Sequence, residues 1–106
     1  MNDATFNQRV ADTLLTIENA VEHCGADIDF ETTQGILTLA FADGSRIIIN
    51  AQSALRQLWV AARSGGYHYA WDEASGRWQN DKTGAALFPE LSQFVSEQAG
   101  VPVSLG

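Results

Sequence analysis

Phe6, Val10, Leu14, Ile17 and Val21 recur near the start of the chain at steps of four, four, three and four. That spacing traces one face of a 3.6-residue period and predicts an amphipathic helix. Asn2 or Asp3 can cap its start, and Gly25 can end it in a left-handed turn. At Asp27 the period changes to two. Ile28 and Phe30 alternate with Asp27, Asp29 and Glu31, which predicts a half-buried strand. Residues 36–41 read as a second strand, Asp43-Gly44 as a hairpin turn, and residues 46–50 as a third strand pairing back.

The segment 53–63 fits two templates. Leu55, Leu58 and Ala62 lie at helical spacing with Ser53 as a cap, while Gln57 to Val60 also alternates as a strand does. Pattern alone favours the helix. Gly65-Gly66 interrupts, and residues 67–71 read as a strand, followed by a turn over 73–76 and a short strand at 77–79. Leu87, Leu91, Phe94 and Val95 return to helical spacing. Pro89 falls in the first turn of that helix, where a missing N–H costs little, and Gly100 and Pro102 stop it. The tail 101–106 has no clear structure of its own. Helix, run of strands, helix is an α+β order: an antiparallel sheet covered on one face by two helices. The 106 residues fit one domain, without repeats or linker.

Charge sharpens this picture. The net charge is −7. Residues 1–45 hold eight acids and the single base Arg9, whereas residues 46–106 hold five acids and five bases. The whole imbalance therefore sits in the first part of the chain. Such a field attracts cations and basic partners, and it repels nucleic acid and anionic membranes. No apolar run is long enough for a membrane helix, and the first residues lack the basic and apolar regions of a secretory signal. One cysteine, Cys24, forms no internal disulfide, which suits a reducing cytoplasm.

The acids form the candidate site. Glu18 and Glu22 are i, i+4 neighbours on the first helix. Asp27, Asp29 and Glu31 share one strand face, about 7 Å apart. The turn at Gly25 is short, so helix end and strand start lie close together and build a carboxylate ridge. No Lys or Arg occurs between residues 10 and 45 to break it. Oxygen donors spaced in this way suit hard cations held weakly at several exposed sites, with water completing the shell, and no calcium loop is present. His23 could add a nitrogen ligand, though a lone surface His is more often unligated. Cys24 reads as a small core residue. Phosphate loops, dinucleotide fingerprints and nucleophile elbows are missing, and His23 and His68 have no nucleophile at triad spacing, so the expectation is a protein without catalytic residues. A second feature is the group Asn50, Gln52, Gln57 and Trp59. If Gln57 and Trp59 lie on a strand they share one face, with Leu58 and Val60 in the core, and an outward Trp among amides is a docking hot spot.

These residues resemble the frataxin family, most closely its bacterial branch. The resemblance covers essentially the whole chain. It is carried by the acidic first helix through Asp27-Ile-Asp-Phe-Glu31, by Gly35-Ile-Leu-Thr-Leu with Asp43-Gly-Ser-Arg-Ile-Ile-Ile-Asn50, and above all by Asn50-x-Gln52 followed by Gln57-x-Trp59; Gly65-Gly-Tyr-His68 and Trp78 agree. It implies a two-layer α/β sandwich with a sheet of about six strands and helices at both termini, and it assigns residues 57–60 to a strand, against the pattern reading. It also implies an iron-binding protein of iron–sulfur cluster assembly, acting as iron donor or iron sensor. Asp3, Glu18, Glu22, Asp27, Asp29 and Glu31 match the family's iron-binding acids. Glu18, Glu22, Asn50, Gln52, Gln57 and Trp59 match its surface towards the cysteine desulfurase and the iron–sulfur scaffold protein. A cytoplasmic monomer is implied, with iron-induced oligomers as the variant. Asn19 and His23 stand where close bacterial relatives often carry acids, and His68 where eukaryotic members tend to have Arg. Two other readings stay open: an acidic protein-interaction module without a functional metal role, and an iron oxidase.

Overall fold

The computed structural model describes residues 1–105. Helix α1 spans Asp3–Glu22 and α2 spans Leu87–Ala99. Between them lie β1 (Ile28–Thr33), β2 (Ile36–Phe41), β3 (Arg46–Gln52), β4 (Gln57–Ala62), β5 (Gly65–Asp72) and β6 (Arg77–Asn80). The six strands form one sheet in sequential order, each antiparallel to the last. The α+β sandwich expected from the sequence is the fold.

Asn2, not Asp3, caps α1: its side chain accepts from Thr5 N at 2.8 Å. The helix buries Phe6, Val10, Leu14, Ile17 and Val21, the stripe read from the sequence. Against it the sheet turns Leu37, Leu39, Ile47, Ile49, Leu58, Val60, Tyr69 and Trp78, all buried. Alternation sends every second strand residue to this side, so the other sheet face is left open. Helix α2 adds Leu87, Leu91, Phe94 and Val95 to the same core. Its cap residue Ala86 has no side-chain bond to the first turn, and Pro89 in that turn needs no partner for an N–H it lacks. Gly100, at φ 75°, closes it.

The expected hairpin turn at Asp43-Gly44 is present, with Gly44 at φ 87°. The Ser45 hydroxyl and N–H both donate to Asp43, and with Arg63 nearby they hold its carboxyl below the usual carboxylate range. Gln98, buried on α2, ties this turn to the next one. Its amide donates to Ser45 Oγ at 2.9 Å, and its oxygen accepts from Arg63 N at 2.9 Å.

One expectation is corrected. The helix that pattern favoured over 53–63 is absent. A single 3-10 turn, Ser53–Leu55, is followed by Arg56 at φ 54° and then by strand β4. A left-handed residue cannot continue a right-handed helix, and Leu55, which completed the helical spacing, is 58% exposed. The tail, whose last residue Gly106 lies outside the described residues, forms no helix or strand over 101–105, as expected, yet it is packed. Val103 and Leu105 are buried, and their N–H groups donate to Ser96 Oγ at 2.8 Å and Ser92 Oγ at 2.9 Å on α2. Among the described residues, no helix is long and apolar enough to cross a membrane.

Candidate functional site

The expected ridge is distributed over two layers. Glu18 and Glu22 sit one turn apart on α1, at about 5–6 Å between Cβ atoms. The Thr32 hydroxyl donates to the Glu18 carboxylate, which fixes α1 beside β1. Thr32 pairs with Leu37, a core residue, so it faces the helices. Asp29 pairs with Ala40 and Glu31 with Thr38, so these two acids project from the open sheet face. Asp27 lies just before the strand and is exposed. The strand β1 thus runs between two acidic rows, Glu18 and Glu22 on one side and Asp29 and Glu31 on the other.

The half-buried strand anticipated here is more open than that. Five of the six residues of β1 are exposed, and Phe30, which alternation assigned to the core, is 37% exposed. The cause is position: β1 is the first strand of the sheet and has a neighbour on one side only.

Among the described residues, no Lys, Arg or His lies within salt-bridge distance of Glu18, Glu22, Asp27, Asp29 or Glu31. Other acids are engaged. Asp43 meets Arg63 at 3.0 Å, Glu73 lies 3.8 Å from Arg9, and Asp81 lies 3.8 Å from His68 Nδ1. Asp3 belongs with this second group. It pairs with Arg56, and α1 carries it about 28 Å from Glu22 at 1.5 Å per residue, so it is not brought to the ridge. No three His, Cys, Asp or Glu side chains among the described residues converge on one point. A hard cation on the ridge would therefore have one or two carboxylate ligands and a shell mostly of water. His23 does not reach towards the strand acids; its Nδ1 lies 2.8 Å from Asn19 O, one turn back on its own helix. Cys24 is half-buried against the core.

The second candidate group comes together as one patch. Asn50 lies opposite Trp59 and Gln52 opposite Gln57, all half-buried on the open face, while Leu58 and Val60 point to the core. The Trp59 indole N–H donates to Gln57 Oε1 at 2.9 Å. On its other flank Trp59 stacks on His68, with centroids 4.3 Å apart and an interplanar angle of 15°. Trp59 is held in one orientation, with its apolar face presented beside amides. Ile36 and Ile48, 40% and 38% exposed, extend the patch towards β1. Sequence reading did not single out these two; the signal was their register, Ile36 opposite Asn50 and Ile48 opposite Ala61. Asp29 and Glu31 look out from the same face, three strands or about 15 Å from the Trp59 strand.

With this geometry the chain can be set beside known proteins. The family model of the frataxin-like domain matches residues 1–101. The iron–sulfur cluster assembly protein CyaY of Dechloromonas aromatica is 43% identical over 106 residues, covering 99% of each chain. That of Tolumonas auensis is 42% identical over 106 residues and covers 100% of both. Among solved structures, the frataxin of Psychromonas ingrahamii superimposes with a TM-score of 0.89 at 36% identity, covering 100% of this chain and 99% of that one. A match of this extent in both sequence and fold shows that the chain belongs to the frataxin family.

Proposed function

We propose that this chain acts in iron–sulfur cluster assembly as a binding and regulatory protein, not as an enzyme. In this reading it holds ferrous or ferric iron weakly at several surface sites and docks on the cysteine desulfurase and its scaffold partner in the cytoplasm, as a monomer. The iron-binding acids are Glu18, Glu22, Asp27, Asp29 and Glu31, with Asp3 a separate, distant carboxylate. The docking surface combines Glu18 and Glu22 with Asn50, Gln52, Gln57 and Trp59. One observation carries the reading: five carboxylates of the α1–β1 region have no cationic partner within salt-bridge distance, whereas Asp3, Asp43, Glu73 and Asp81 each have one. Stacked like charges cost stability, so their retention favours a role in attracting cations or basic surfaces. The relatives named as iron–sulfur cluster assembly proteins point to the same process.

A second reading has its own support. Because no three carboxylates among the described residues converge, the ridge is also suited to a basic protein surface with no metal between. Calorimetric titration of cysteine desulfurase, with ferrous iron and with chelator, separates the two. The expected result is tenfold or greater weakening by Glu18→Gln/Glu22→Gln. Iron-dependent affinity supports the first reading, and salt-sensitive binding indifferent to chelator supports the second. Unchanged affinity in the double variant removes the ridge from the partner surface.

A further inference from the structure

The open edge of β1 adds something that charge alone does not. A six-stranded sheet in sequential order has two edges. The β6 edge is short and partly closed, since Gln79 bridges to Ala86 in the segment leading into α2 and Trp78 and Asn80 are buried. The β1 edge is six residues long, exposed and unpaired. An edge of this kind offers a row of free backbone N–H and C=O groups to any extended chain.

The two acidic rows fit the side chains of such a chain. Residues i and i+2 of a strand recur on one face at about 7 Å, the spacing of Asp29 and Glu31. Glu18 and Glu22, about 5–6 Å apart at their Cβ atoms, offer a similar spacing on the other side. Successive residues of a strand alternate faces. A run of four basic residues laid along β1 would send its first and third side chains to Asp29 and Glu31, and its second and fourth to Glu18 and Glu22. A second copy of this chain does not fit, because pairing β1 with β1 would oppose Asp29 and Glu31 to acids of the same kind.

We infer that β1 is a strand-addition site for an extended, Arg/Lys-rich segment of a protein partner, which extends the sheet by one strand while the four carboxylates read its side chains. The inference deepens, and rests on, the reading of the ridge as a partner surface. It accounts for an exposed Phe30 on an edge strand, which an added strand would cover.

The probe is a synthetic octapeptide, capped at both ends, with four central arginines flanked by Val and Thr on each side. Two further versions are N-methylated at alternate residues, one set odd and one set even. Methylation leaves charge intact and removes the N–H. In an added strand only alternate N–H groups face β1. One methylated peptide is therefore expected to lose at least tenfold in affinity, and the other less than about twofold. Hydrogen exchange should slow at those β1 amides that do not bond to β2, with the intact chain as the sample. Equal binding by all three peptides, or slowing confined to the strand bearing Trp59, overturns strand addition. Equal binding of the three would still leave the ridge as a charged partner surface, so the two readings fail separately.

Discussion

The indole N–H of Trp78 donates to Thr13 Oγ1 at 2.9 Å, a buried bond that joins β6 to α1 across 65 residues of sequence. It fixes the rotation of the helix that carries Glu18 and Glu22. Thr13→Val preserves shape and removes the acceptor, which leaves a buried donor unsatisfied at a cost of about 1–3 kcal/mol. Urea denaturation should show the unfolding free energy falling by that amount, with Thr13→Ser losing less.

Trp59 tests the open face. It is half-buried, so Trp59→Phe, which keeps a ring against His68, should leave stability within about 1 kcal/mol of wild type. Anchoring tryptophans at interfaces are worth about 2 kcal/mol or more. Trp59→Ala should therefore weaken desulfurase binding about thirtyfold in a titration. A loss below about threefold would take the partner off this face.

Tyr69 governs the alkaline limb. It is fully buried and donates to Glu90 Oε1 at 2.7 Å. Burial first, and the Glu90 carboxylate second, push its phenol well above the ordinary range. An unfolded tyrosine ionises near pH 10, while the folded one keeps its proton. Its contribution is thus complete below about pH 10 and falls above it by about 1.4 kcal/mol per pH unit. Chemical denaturation between pH 9 and 11 should display this slope. Tyr69→Phe should flatten it, at a cost of about 1 kcal/mol near neutrality for the lost bond.

Leu105 is 2% exposed although the sequence around it shows no periodicity. Leu105→Ala should cost about 3 kcal/mol by thermal or urea unfolding, as for any well-enclosed leucine. A change under about 0.5 kcal/mol would mean that the tail is not part of the core.

Legibility in the sequence followed the range of the interaction. The helices were plain because their buried stripes repeat within a turn, as Phe6 to Val21 do. The strand at 57–62 was not, because Leu55, Leu58 and Ala62 satisfy a helix locally; only the resemblance favoured β4, and what forces it is pairing with Asn50 and Gln52 on one side and His68 on the other. Val103 and Leu105 were invisible for a similar reason, since their partners Ser92 and Ser96 lie on another element.

For the candidate site the division is similar. The sequence by itself determined that the acids cluster, that no base lies among them, and that Gln57 and Trp59 would share a face if that segment were a strand. Tertiary structure decided that Asp3 stands apart beside Arg56, that Glu18 and Glu22 lie on one side of β1 and Asp29 and Glu31 on the other, and that Trp59 leans on His68. The reason is geometric. Charge and period are properties of neighbouring residues in the chain, whereas sheet order and register, which place an acid on a free edge or on a face, are set by pairings between strands that are distant in sequence.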